Sequence, residues 1–500
     1  MNKCFAIFTT YVSTPLFPEK SVERELELLG QEPQVKTWLS PTGEAFSFEL
    51  PHTVYPPRQD TDFLARNILK LGPGKGRLCL EIGTGSGVLS LLCHRQGWNV
   101  SACDVNPIAV ASAKHLLASN LAPDVQVREG GPGPPDDGMH HQWAGKNEYD
   151  LIFWNMPYIK LEDNSGPLLG PMEEAALIDT TSTSLVSVTL ANIKSGNILS
   201  KSGVCLLTVG NQHNIENLVD IASQYGFAAR VIDRVILGDG EPLKALAFWH
   251  PFADYPTLSK DEVSSTNTEL LNSNWPIGSS LSANHQTHGR GRYQRKWENT
   301  GKQVSCSWKV KLPSEISTGL TQVIIGNQIK RMLSNYSASS VSKVILKWPN
   351  DVLIVDEHRW GKVCGVLIES VTRGKTNVAV VGIGINLAEG LEEPQKDFNI
   401  AYVNWLTNSA TKSALERQVH CRIASLFEDR HELPNTHWDE FKLSADKSIR
   451  DAFTSCRAVL YRNQMVTLEV VNDDGTISLN DELGNIICCG EGEELNWEFL

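Results

Sequence analysis

Short apolar runs alternate with helical patterns between residues 54 and 250. The apolar runs lie at residues 78–82, 100–103, 151–154, 204–209 and 245–249. Strand-like segments that alternate with helical ones are typical of βαβ units, in which parallel strands form a sheet with helices on both faces. We therefore expect one α/β domain over residues 54–250, preceded by an N-terminal extension over residues 1–53 whose pattern gives no fold.

The pattern changes after residue 250. Residues 251–262 are polar, include two prolines and are interpreted as a linker. A second α/β pattern then predicts a domain over residues 263–450. The last 50 residues hold short β-prone runs at 465–471, 476–479 and 486–489, separated by Asn-Asp-Asp-Gly and Gly-Asn turns. Such spacing is typical of hairpins, so we expect a small antiparallel β barrel or sandwich over residues 451–500.

Composition agrees with a folded protein of about three domains. The 500 residues are 41% hydrophobic and 21% charged, with a formal net charge of -13. That charge disfavours non-specific binding to nucleic acid or to anionic membranes, because both would repel the chain. There is no apolar stretch of about 18 residues and no helix-turn-helix pattern, so we expect neither a membrane span nor a DNA-binding domain.

Cysteine usage bears on the cellular compartment. The eleven cysteines are scattered without a CxxC pair, a pattern that favours reduced thiols over a disulfide framework. The first 17 residues lack both the uninterrupted apolar core of a secretory signal and the arginines of a transit peptide. We therefore expect a cytoplasmic protein.

Two polar segments are the first candidates for a functional site in the second α/β domain. Residues 265–267, Ser-Thr-Asn, precede a helical run, and alone they are best interpreted as a helix N-cap. Residues 286–297, Gln-Thr-His-Gly-Arg-Gly-Arg-Tyr-Gln-Arg-Lys-Trp, interleave glycines with arginines. The glycines permit close approach of the backbone to a ligand, and guanidinium groups suit phosphate oxygens. Trp297 favours a purine ligand, because an indole ring can stack on adenine.

Three further segments follow. Residues 347–351, Lys-Trp-Pro-Asn-Asp, combine a cation, an amide and a carboxylate after an apolar run, which suits a nucleotide with Mg²⁺ but also an ordinary turn. Residues 360–369, Trp-Gly-Lys-Val-Cys-Gly-Val-Leu-Ile-Glu, place Lys362 at the start of a buried strand, where a cation is costly unless it binds an anion. Residues 381–386, Val-Gly-Ile-Gly-Ile-Asn, complete the set.

In this order and spacing, the segments resemble the biotin protein ligase (holocarboxylase synthetase) family over about 180 residues. The resemblance implies a central α/β ligase catalytic domain followed by a small SH3-like β-barrel domain. It also implies the formation of biotinyl-5′-AMP from biotin and ATP, and transfer of biotin to a lysine on the carrier domain of a carboxylase. A lipoate-type ligase, which has the same broad fold, is the alternative.

The resemblance also implies roles for individual residues. It implies that the ureido ring of biotin is bound by Ser265, Thr266 and Gln286, with Asn267 in the same site. It implies that the biotin and phosphate loop consists of Gly289, Arg290, Gly291 and Arg292, with Trp297 against adenine. It further implies that the phosphates are bound by Lys347, Asn350 and Asp351, the biotin carboxylate by Lys362 and the adenylate by Asn386. The expected catalytic residues are Arg290, Arg292, Lys347, Asp351 and Lys362, and Asp351 holds Mg²⁺ through the phosphates. The acidic turn at residues 491–494 is interpreted as surface, near the carrier-docking face.

The first α/β domain has a glycine-rich turn after its first strand. Residues 81–87 read Glu-Ile-Gly-Thr-Gly-Ser-Gly. Such a turn between strand and helix admits a nucleotide-like ligand to the backbone. Glu81 favours the cationic S-adenosylmethionine over a pyrophosphate, which a carboxylate would repel. Asp104 ends the next strand and is placed to accept hydrogen bonds from ribose hydroxyls. We predict an S-adenosylmethionine site at Glu81, Gly83, Thr84, Gly85, Gly87, Asp104 and Asn155.

Residues 155–158, Asn-Met-Pro-Tyr, end a later strand. An Asn there can hold a planar amide or an exocyclic amine by two hydrogen bonds, and an aromatic ring can stack on that group. With the upstream Val-Tyr-Pro-Pro-Arg-Gln-Asp-Thr at residues 54–61, the segment resembles HemK-type glutamine methyltransferases, which have a Rossmann-like sheet. Asn155 is the expected catalytic residue, and Asn155, Pro157 and Tyr158 bind the methyl acceptor.

Met156 departs from the family pattern, Asn-Pro-Pro-Tyr, and leaves the substrate open. The first interpretation is a methyltransferase acting on a protein glutamine, with a release factor as acceptor. The alternatives are methylation of an adenine or a small molecule, or a scaffold that binds S-adenosylmethionine without turnover.

Overall fold

The computed structural model describes residues 19–133, 140–157, 159–160, 178–179, 184–210, 214–238, 240–295, 297, 301–337, 342–373, 376–390 and 399–499. Contacts divide the chain into two compact units. The first contains residues 1–200, 206–211 and 234–245, and the second contains residues 201–205, 212–233 and 246–500. Residues 201–205, 212–233 and 246–250, which the pattern placed with the first α/β domain, thus belong to the second unit.

The α-helices of the described residues are α1 Glu19–Leu29, α2 Gln59–Lys70, α3 Val88–Arg95, α4 Pro107–Ser119, α5 His140–Trp143, α6 Leu185–Gly196, α7 Ile215–Tyr225, α8 Thr266–Asn272, α9 Thr318–Ser334, α10 Lys412–Phe427 and α11 Trp438–Ser455. Short 3-10 helices lie at Arg292–Gln294, Val403–Trp405 and Gly492–Glu494. Among the described helices, none has both the length and the apolar composition that crossing a membrane requires.

The strands up to the second unit's large sheet are β1 Gln34–Leu39, β2 Ala45–Leu50, β3 Leu78–Ile82, β4 Asn99–Asp104, β5 Gln126–Glu129, β6 Tyr149–Asn155, β7 Ile159–Lys160, β8 Ile178–Asp179, β9 Leu199–Gly210, β10 Ala228–Ile236 and β11 Pro242–Trp249. The remaining strands are β12 Thr257–Val263, β13 Ser280–Gln286, β14 Gly301–Val310, β15 Lys343–Lys347, β16 Asp351–Val355, β17 Trp360–Arg373, β18 Thr376–Glu389, β19 Ala458–Tyr461, β20 Gln464–Val471, β21 Ile477–Asp481, β22 Ile486–Cys489 and β23 Leu495–Glu498.

The first large sheet has the strand order β10-β11-β9-β6-β3-β4-β5. Its pairs β3–β4, β3–β6 and β4–β5 are parallel, and the predicted α/β class is confirmed. Because parallel strands end at the same edge, Ile82, Asp104 and Asn155 come to one side of the sheet. Helix α4 begins close to this edge, where the side chain of Asn106 caps it by accepting a hydrogen bond from the Ile108 amide at 2.9 Å.

Residues 34–50, within the predicted extension, form a hairpin. Strands β1 and β2 pair antiparallel. Alternate residues of β2, Phe46, Phe48 and Leu50, are buried, as the period of two along a strand requires. The extension thus has an apolar face of its own.

The second large sheet has the order β12-β13-β14-β18-β17-β16-β15. Strands β12 and β13 are parallel, and the other described pairs are antiparallel. Most of β12 lies within residues 251–262, the segment interpreted as a linker. Its side chains are mostly exposed, because β12 is the edge of the sheet, and a polar edge strand has a linker-like composition.

The C-terminal strands form a five-stranded antiparallel sheet with the order β22-β21-β20-β19-β23. Three predicted strands, at 465–471, 476–479 and 486–489, correspond to β20, β21 and β22, and are confirmed. In the described residues β22 and β23 are the two edges, and no pairing between them closes the sheet. The predicted SH3-like barrel is therefore not confirmed: the strands form an open antiparallel sheet within the second unit.

Candidate active sites

A cavity in the first unit lies at the carboxyl ends of β3, β4 and β6. Its empty volume is about 1040 Å³ including its open mouth. Most of the predicted residues of this unit line it, namely Glu81, Gly83, Thr84, Gly85, Asp104, Asn155 and Pro157. Tyr158 lies outside the described residues.

The glycines of the turn between β3 and α3 have different surroundings. Gly83 has a φ of 63°, and a Cβ there would lie 2.5 Å from Nε1 of Trp154. Gly87 does not line the cavity; a Cβ there would lie 2.9 Å from the Cβ of Ala113. Gly83 thus keeps the indole and the turn in close contact at the cavity, whereas Gly87 allows the turn to pack against α4.

Glu81 is a buried carboxyl group beneath the turn. Its Oε2 accepts a hydrogen bond from the Thr84 hydroxyl at 2.7 Å and a second from the Ser90 hydroxyl. Burial raises the pKa of Glu81 to about 8, because a carboxylate is poorly solvated there. The group therefore holds a proton at neutral pH until a cation approaches it.

Asp104 is fixed by backbone amides. Its Oδ2 accepts from the Gly85 N–H at 2.8 Å and its Oδ1 from the Asn106 N–H at 2.9 Å. Burial nevertheless raises its pKa above the usual value. The Gly85 bond ties the end of β4 to the glycine turn, so both walls of the cavity are held in one arrangement.

Asn155 is held by two side chains. Its Nδ2 donates to Oδ2 of Asp60 at 2.9 Å, and its Oδ1 accepts from the Thr208 hydroxyl at 2.7 Å. Asp60 is only 1% exposed and also accepts a hydrogen bond from the Tyr55 hydroxyl at 3.2 Å. An Asn side chain has two N–H groups and two carbonyl lone pairs. The bonds to Asp60 and Thr208 use one of each, which leaves one donor and one acceptor for a substrate amide.

A larger cavity, of about 1950 Å³ including its open mouth, lies in the second unit. It collects residues from motifs that are up to about 100 positions apart. Of the predicted residues, Ser265, Thr266, Asn267, Gln286, Arg290, Gly291, Arg292, Trp297, Lys347, Asn350, Asp351 and Lys362 line it. Gly289 and Asn386 do not.

The polar floor at the start of α8 is buried. Oε1 of Gln286 accepts from the Thr266 amide at 2.9 Å and from its hydroxyl at 3.2 Å. The Ser307 hydroxyl lies 2.7 Å from the Thr266 hydroxyl and 2.6 Å from Oδ1 of Asn267. Ser265 occupies the N-cap position, but its side chain makes no capping hydrogen bond and instead lines the cavity. The simple N-cap interpretation is therefore insufficient for this triplet.

Trp297 lies over two strands at glycine positions. A Cβ on Gly384 would lie 2.7 Å from the indole ring, and a Cβ on Gly365 would lie 2.9 Å from it. Both glycines thus leave room for this ring. Gly289 closes the loop below, where its carbonyl accepts the Trp297 amide at 2.9 Å. Gly289 therefore shapes the loop and does not contact the cavity.

Two predicted residues of the phosphate side, Asp351 and Asn350, are held by neighbours. Nζ of Lys362 lies 2.7 Å from Oδ1 of Asp351. Nδ2 of Asn350 donates to the Val366 carbonyl at 2.9 Å. Lys347 is largely buried, and burial lowers its pKa, although Asp351 opposes this shift. The cavity thus contains two lysines and one carboxylate at the ends of β15, β16 and β17.

Asn386 lies behind this group. Its Nδ2 donates to the Lys362 carbonyl at 3.2 Å, and it is 4% exposed. It therefore supports the strand that presents Lys362, and direct contact with an adenylate is not evident from its position.

The acidic turn at residues 491–494 lies beside the arginine loop. Oε2 of Glu491 is 3.3 Å from Arg292 and also accepts from the Tyr293 hydroxyl, and Glu493 is 3.2 Å from Arg295. Glu493 lines the cavity. The turn interpreted as a surface feature thus adds negative charge to the mouth of the site.

Residues that the sequence interpretation did not select include Asp60, Tyr55, Thr208, Ser307 and Glu493. Asp60 and Tyr55 lie within the quoted segment 54–61, so the resemblance contained the signal. Thr208 and Ser307 lie on strands without a motif, and only the fold brings them to the sites. In the described residues, no group of three or more His, Cys, Asp or Glu side chains could hold a metal ion.

Comparisons with known proteins agree with the resemblance found in each half of the sequence. Residues 260–386 match the model of the Biotin/lipoate A/B protein ligase family. The biotin--[acetyl-CoA-carboxylase] ligase of Mycobacterium tuberculosis is 33% identical over 144 residues, which cover 27% of this chain and 51% of that protein. The release factor glutamine methyltransferase of Shewanella oneidensis is 30% identical over 112 residues, which cover 21% of this chain and 35% of that protein. The chain thus spans about half of the first relative and about a third of the second.

A solved structure, the biotin protein ligase from Aquifex aeolicus in complex with biotin and ATP, covers 49% of this chain and 99% of its own, with 24% identity and a TM-score of 0.38. The chain thus carries, in residues 260–386, a domain that matches the biotin/lipoate A/B protein ligase family, and in its N-terminal part a segment with homology to glutamine methyltransferases.

Proposed function

We propose that the second unit is a biotin protein ligase that forms biotinyl-5′-AMP and transfers biotin to a lysine of a carrier domain in a carboxylase. The observation that carries this proposal is the convergence of all five motifs on one cavity, or directly behind it. The polar floor near Gln286 suits the ureido ring, and Trp297 suits the adenine. The match to a biotin--[acetyl-CoA-carboxylase] ligase supports biotin and this carrier.

The first step joins biotin to ATP. An oxygen of the biotin carboxylate attacks the α-phosphorus of ATP, and pyrophosphate leaves. Lys362 positions the carboxylate after exchanging its partner Asp351 for the substrate. Arg290, Arg292 and Lys347 offset the charge that develops on the phosphate oxygens.

Asp351 is the residue that would hold Mg²⁺. A single carboxylate that completes its ligand set with substrate phosphates is a usual arrangement for this ion. When bound, Mg²⁺ neutralises charge on the phosphates. In the structure Asp351 pairs with Lys362, so the lysine and the ion would compete for this carboxylate.

The second step releases AMP. The amine of the carrier lysine attacks the carbonyl carbon of biotinyl-5′-AMP, the C–O bond to phosphate breaks, and the nitrogen loses a proton. The arginine loop closes over the adenylate and keeps out water, which would hydrolyse it.

Incubation of the full chain with ATP, biotin and a biotinyl-carrier domain tests the ligase. We expect biotin on one carrier lysine, and its loss in Lys362→Ala. Lys260→Ala is the matched control, because Lys260 forms an exposed ion pair with Glu269 at 3.1 Å. The family model covers lipoate ligases as well, so lipoate is offered in parallel; transfer of lipoate in place of biotin contradicts the proposal.

For the first unit we propose an S-adenosylmethionine-dependent N-methyltransferase that acts on a glutamine amide of a protein, with a release factor as acceptor. The observation that carries this proposal is Asn155, held by Asp60 and Thr208 with one donor and one acceptor remaining. A primary amide needs this pair for its own oxygen and N–H. The nitrogen attacks the methyl carbon, the methyl–sulfur bond breaks, and the nitrogen then loses a proton.

Tritium transfer from labelled S-adenosylmethionine to a peptide with the sequence Gly-Gly-Gln tests this proposal. We expect label in the peptide, and its loss in Asn155→Ala. Calorimetry with S-adenosylmethionine alone accompanies the assay. Binding without transfer favours the scaffold, or an adenine or small-molecule acceptor, over the glutamine methyltransferase.

A further inference from the structure

Glu369 lies at the end of the residues 360–369 motif and is part of no step proposed above. It is on β17, does not line the cavity, and is 23% exposed at its side chain. Its Oε2 accepts a hydrogen bond from Nδ2 of Asn267 at 2.8 Å. Its Oε1 accepts another from Nη1 of Arg290 at 3.2 Å. One carboxylate thus joins the polar floor at the start of α8 to the arginine loop, residues 289–295.

The Asn267 side of this bridge is rigid. Asn267 is 4% exposed, and its Oδ1 accepts from the Ser307 hydroxyl at 2.6 Å. A Cβ on Gly382 would lie 2.2 Å from this Oδ1, so the amide is packed directly on β18. Glu369 therefore accepts its hydrogen bond from a donor whose position is fixed by packing.

The Arg290 side is the adjustable one. Arg290 is 47% exposed at its side chain, and its loop includes Tyr293 in a left-handed conformation with φ 54°. An exposed side chain on such a loop has many rotamers, and fixing it has an entropic cost. A carboxylate that is already held by Asn267 lowers that cost, because only the arginine remains to be ordered.

We propose that Glu369 is a positioning residue for the arginine loop: through its bonds to Asn267 and Arg290 it ties the position of Arg290 to the polar floor of the cavity. This proposal rests on the ligase function proposed above. Asn267 holds Glu369, and Glu369 in turn holds Arg290 at the cavity, where the guanidinium group would face the adenylate. The residue acts through Arg290 and Asn267 and does not touch the substrates.

The two acceptor oxygens of Glu369 are both needed. Asn267 and Arg290 each present an N–H, and a Gln at this position offers one oxygen and one NH₂ group of nearly the same size. Glu369→Gln therefore loses one of the two bonds without a change in volume. The matched control is Glu269→Gln, which removes an ion pair with Lys260 from helix α8, on which Asn267 also lies.

Limited trypsin digestion of the full chain measures the order of the loop independently of catalysis. The loop has its cleavable residues at 290, 292, 295 and 296. In the presence of biotin, we expect cleavage there about two- to five-fold faster in Glu369→Gln than in the wild type or in Glu269→Gln, as befits the loss of one partly exposed ion pair. Equal cleavage rates in all three proteins overturn the proposal, whether or not the chain is a ligase.

Retention of the adenylate is the second measurement. With biotin and labelled ATP, we expect Glu369→Gln to release biotinyl-5′-AMP into solution faster and to have a higher KM for biotin, while its melting temperature matches that of Glu269→Gln. A lower melting temperature with unchanged release and KM assigns Glu369 a structural role only and overturns the proposal. If the wild type forms no biotinyl-5′-AMP, the ligase function fails, and the digestion result still decides the role of Glu369.

Discussion

We expect the proposed binding of S-adenosylmethionine in the first unit to depend on pH through Glu81. Burial raises the pKa of this carboxyl group to about 8, so it is mostly protonated at neutral pH. Binding of the cationic S-adenosylmethionine favours the ionised form, and the proton must leave. Affinity should therefore rise by up to about ten-fold per pH unit as pH increases toward 8, and level off above it.

Calorimetry between about pH 6 and pH 9 measures this slope, and two buffers of different ionisation enthalpy reveal proton release. Glu81→Gln has no proton to release there and should show weaker, pH-independent binding. The same slope in both proteins would assign the pH dependence to another group, Asp104 first, because burial raises its pKa as well.

Glu493 affects the second cavity through charge. It lines the cavity and pairs with Arg295 at 3.2 Å, so in the proposed ligase it would compete with the phosphates of ATP for the same cation. Arg295 is 65% exposed at its side chain, and exposed ion pairs contribute about 0.2–1 kcal/mol. We expect Glu493→Gln to lower the KM for ATP by at most about five-fold, and this gain should shrink at high salt.

Steady-state pyrophosphate exchange at two salt concentrations measures this effect. Glu482→Gln is a suitable control, because residue 482 lies in a turn of the same sheet and does not line the cavity. A higher KM for ATP in Glu493→Gln would show that the carboxylate orders Arg295 for ATP and does not compete with it.

At the scale of single residues, the sequence motifs predicted candidate site residues, and most of these line the two cavities. It did not predict their supports. Asp60 and Asn155 are 95 positions apart, and Ser307 is 40 positions from Asn267. Such pairs depend on which strands become neighbours, and that is a property of the fold. Ser307 has no motif around it in the sequence, and it reaches the site only because β14 packs against α8.

At the scale of elements, buried apolar strands were predictable and the polar edge was not. Strand β3 is buried along almost its whole length, and its side chains are apolar except for Glu81. Strand β12 has six of seven residues outside the core, because its exposed edge position removes the need for apolar side chains. Its pairing with β13, which no local pattern indicates, makes it a strand.

Close backbone packing joins helix α9 to the C-terminal sheet. A Cβ on Gly319, in the first turn of α9, would lie 2.5 Å from the Asp474 carbonyl oxygen. The next residue, Gly475, accepts a hydrogen bond from Nε1 of the buried Trp348 at 3.0 Å. Trp348 lies within the Lys-Trp-Pro-Asn-Asp motif, so this contact also supports the phosphate side of the cavity.

Gly319→Ala should therefore destabilise the second unit. An alanine in a helix is favoured over glycine by about 1 kcal/mol, but overpacking against backbone costs about 1–3 kcal/mol. We expect a net loss in the free energy of unfolding, measured by urea denaturation. Gly490→Ala is the control, because a Cβ there has no neighbour within 4 Å. A more stable Gly319→Ala protein would mean that the turn moves freely away from α9.

At the scale of the whole molecule, the division into units differs from the pattern of motifs. Helix α7, at residues 215–225, lies in the sequence before the predicted linker, yet it is packed within the second unit. Its Asp220 lies 2.7 Å from Nη2 of Arg422, which is 0% exposed at its side chain, and 2.5 Å from Arg331. Glu216 accepts from Asn327 at 3.1 Å. The composition of the chain changes at residue 250, but the boundary between the two packed units does not lie there.

A fragment of residues 251–500, cut at the predicted boundary, should therefore be unstable. It retains Arg422 without Asp220, and breaking a buried pair by removing one partner costs about 3–5 kcal/mol. It also loses Leu218, Val219 and Ala222, which are at most 1% exposed on α7. A fragment of residues 201–500 keeps all of these groups and is the matched control.

Urea denaturation and biotin binding of both fragments measure the difference. We expect the longer fragment to unfold at the midpoint of the second unit in the full chain, and the shorter one to unfold at a much lower urea concentration. Asp220→Asn in the full chain should reproduce part of the loss, because the charge is removed while the helix stays. Equal midpoints for the two fragments would show that the ligase unit folds without α7, and that its buried arginine finds another partner.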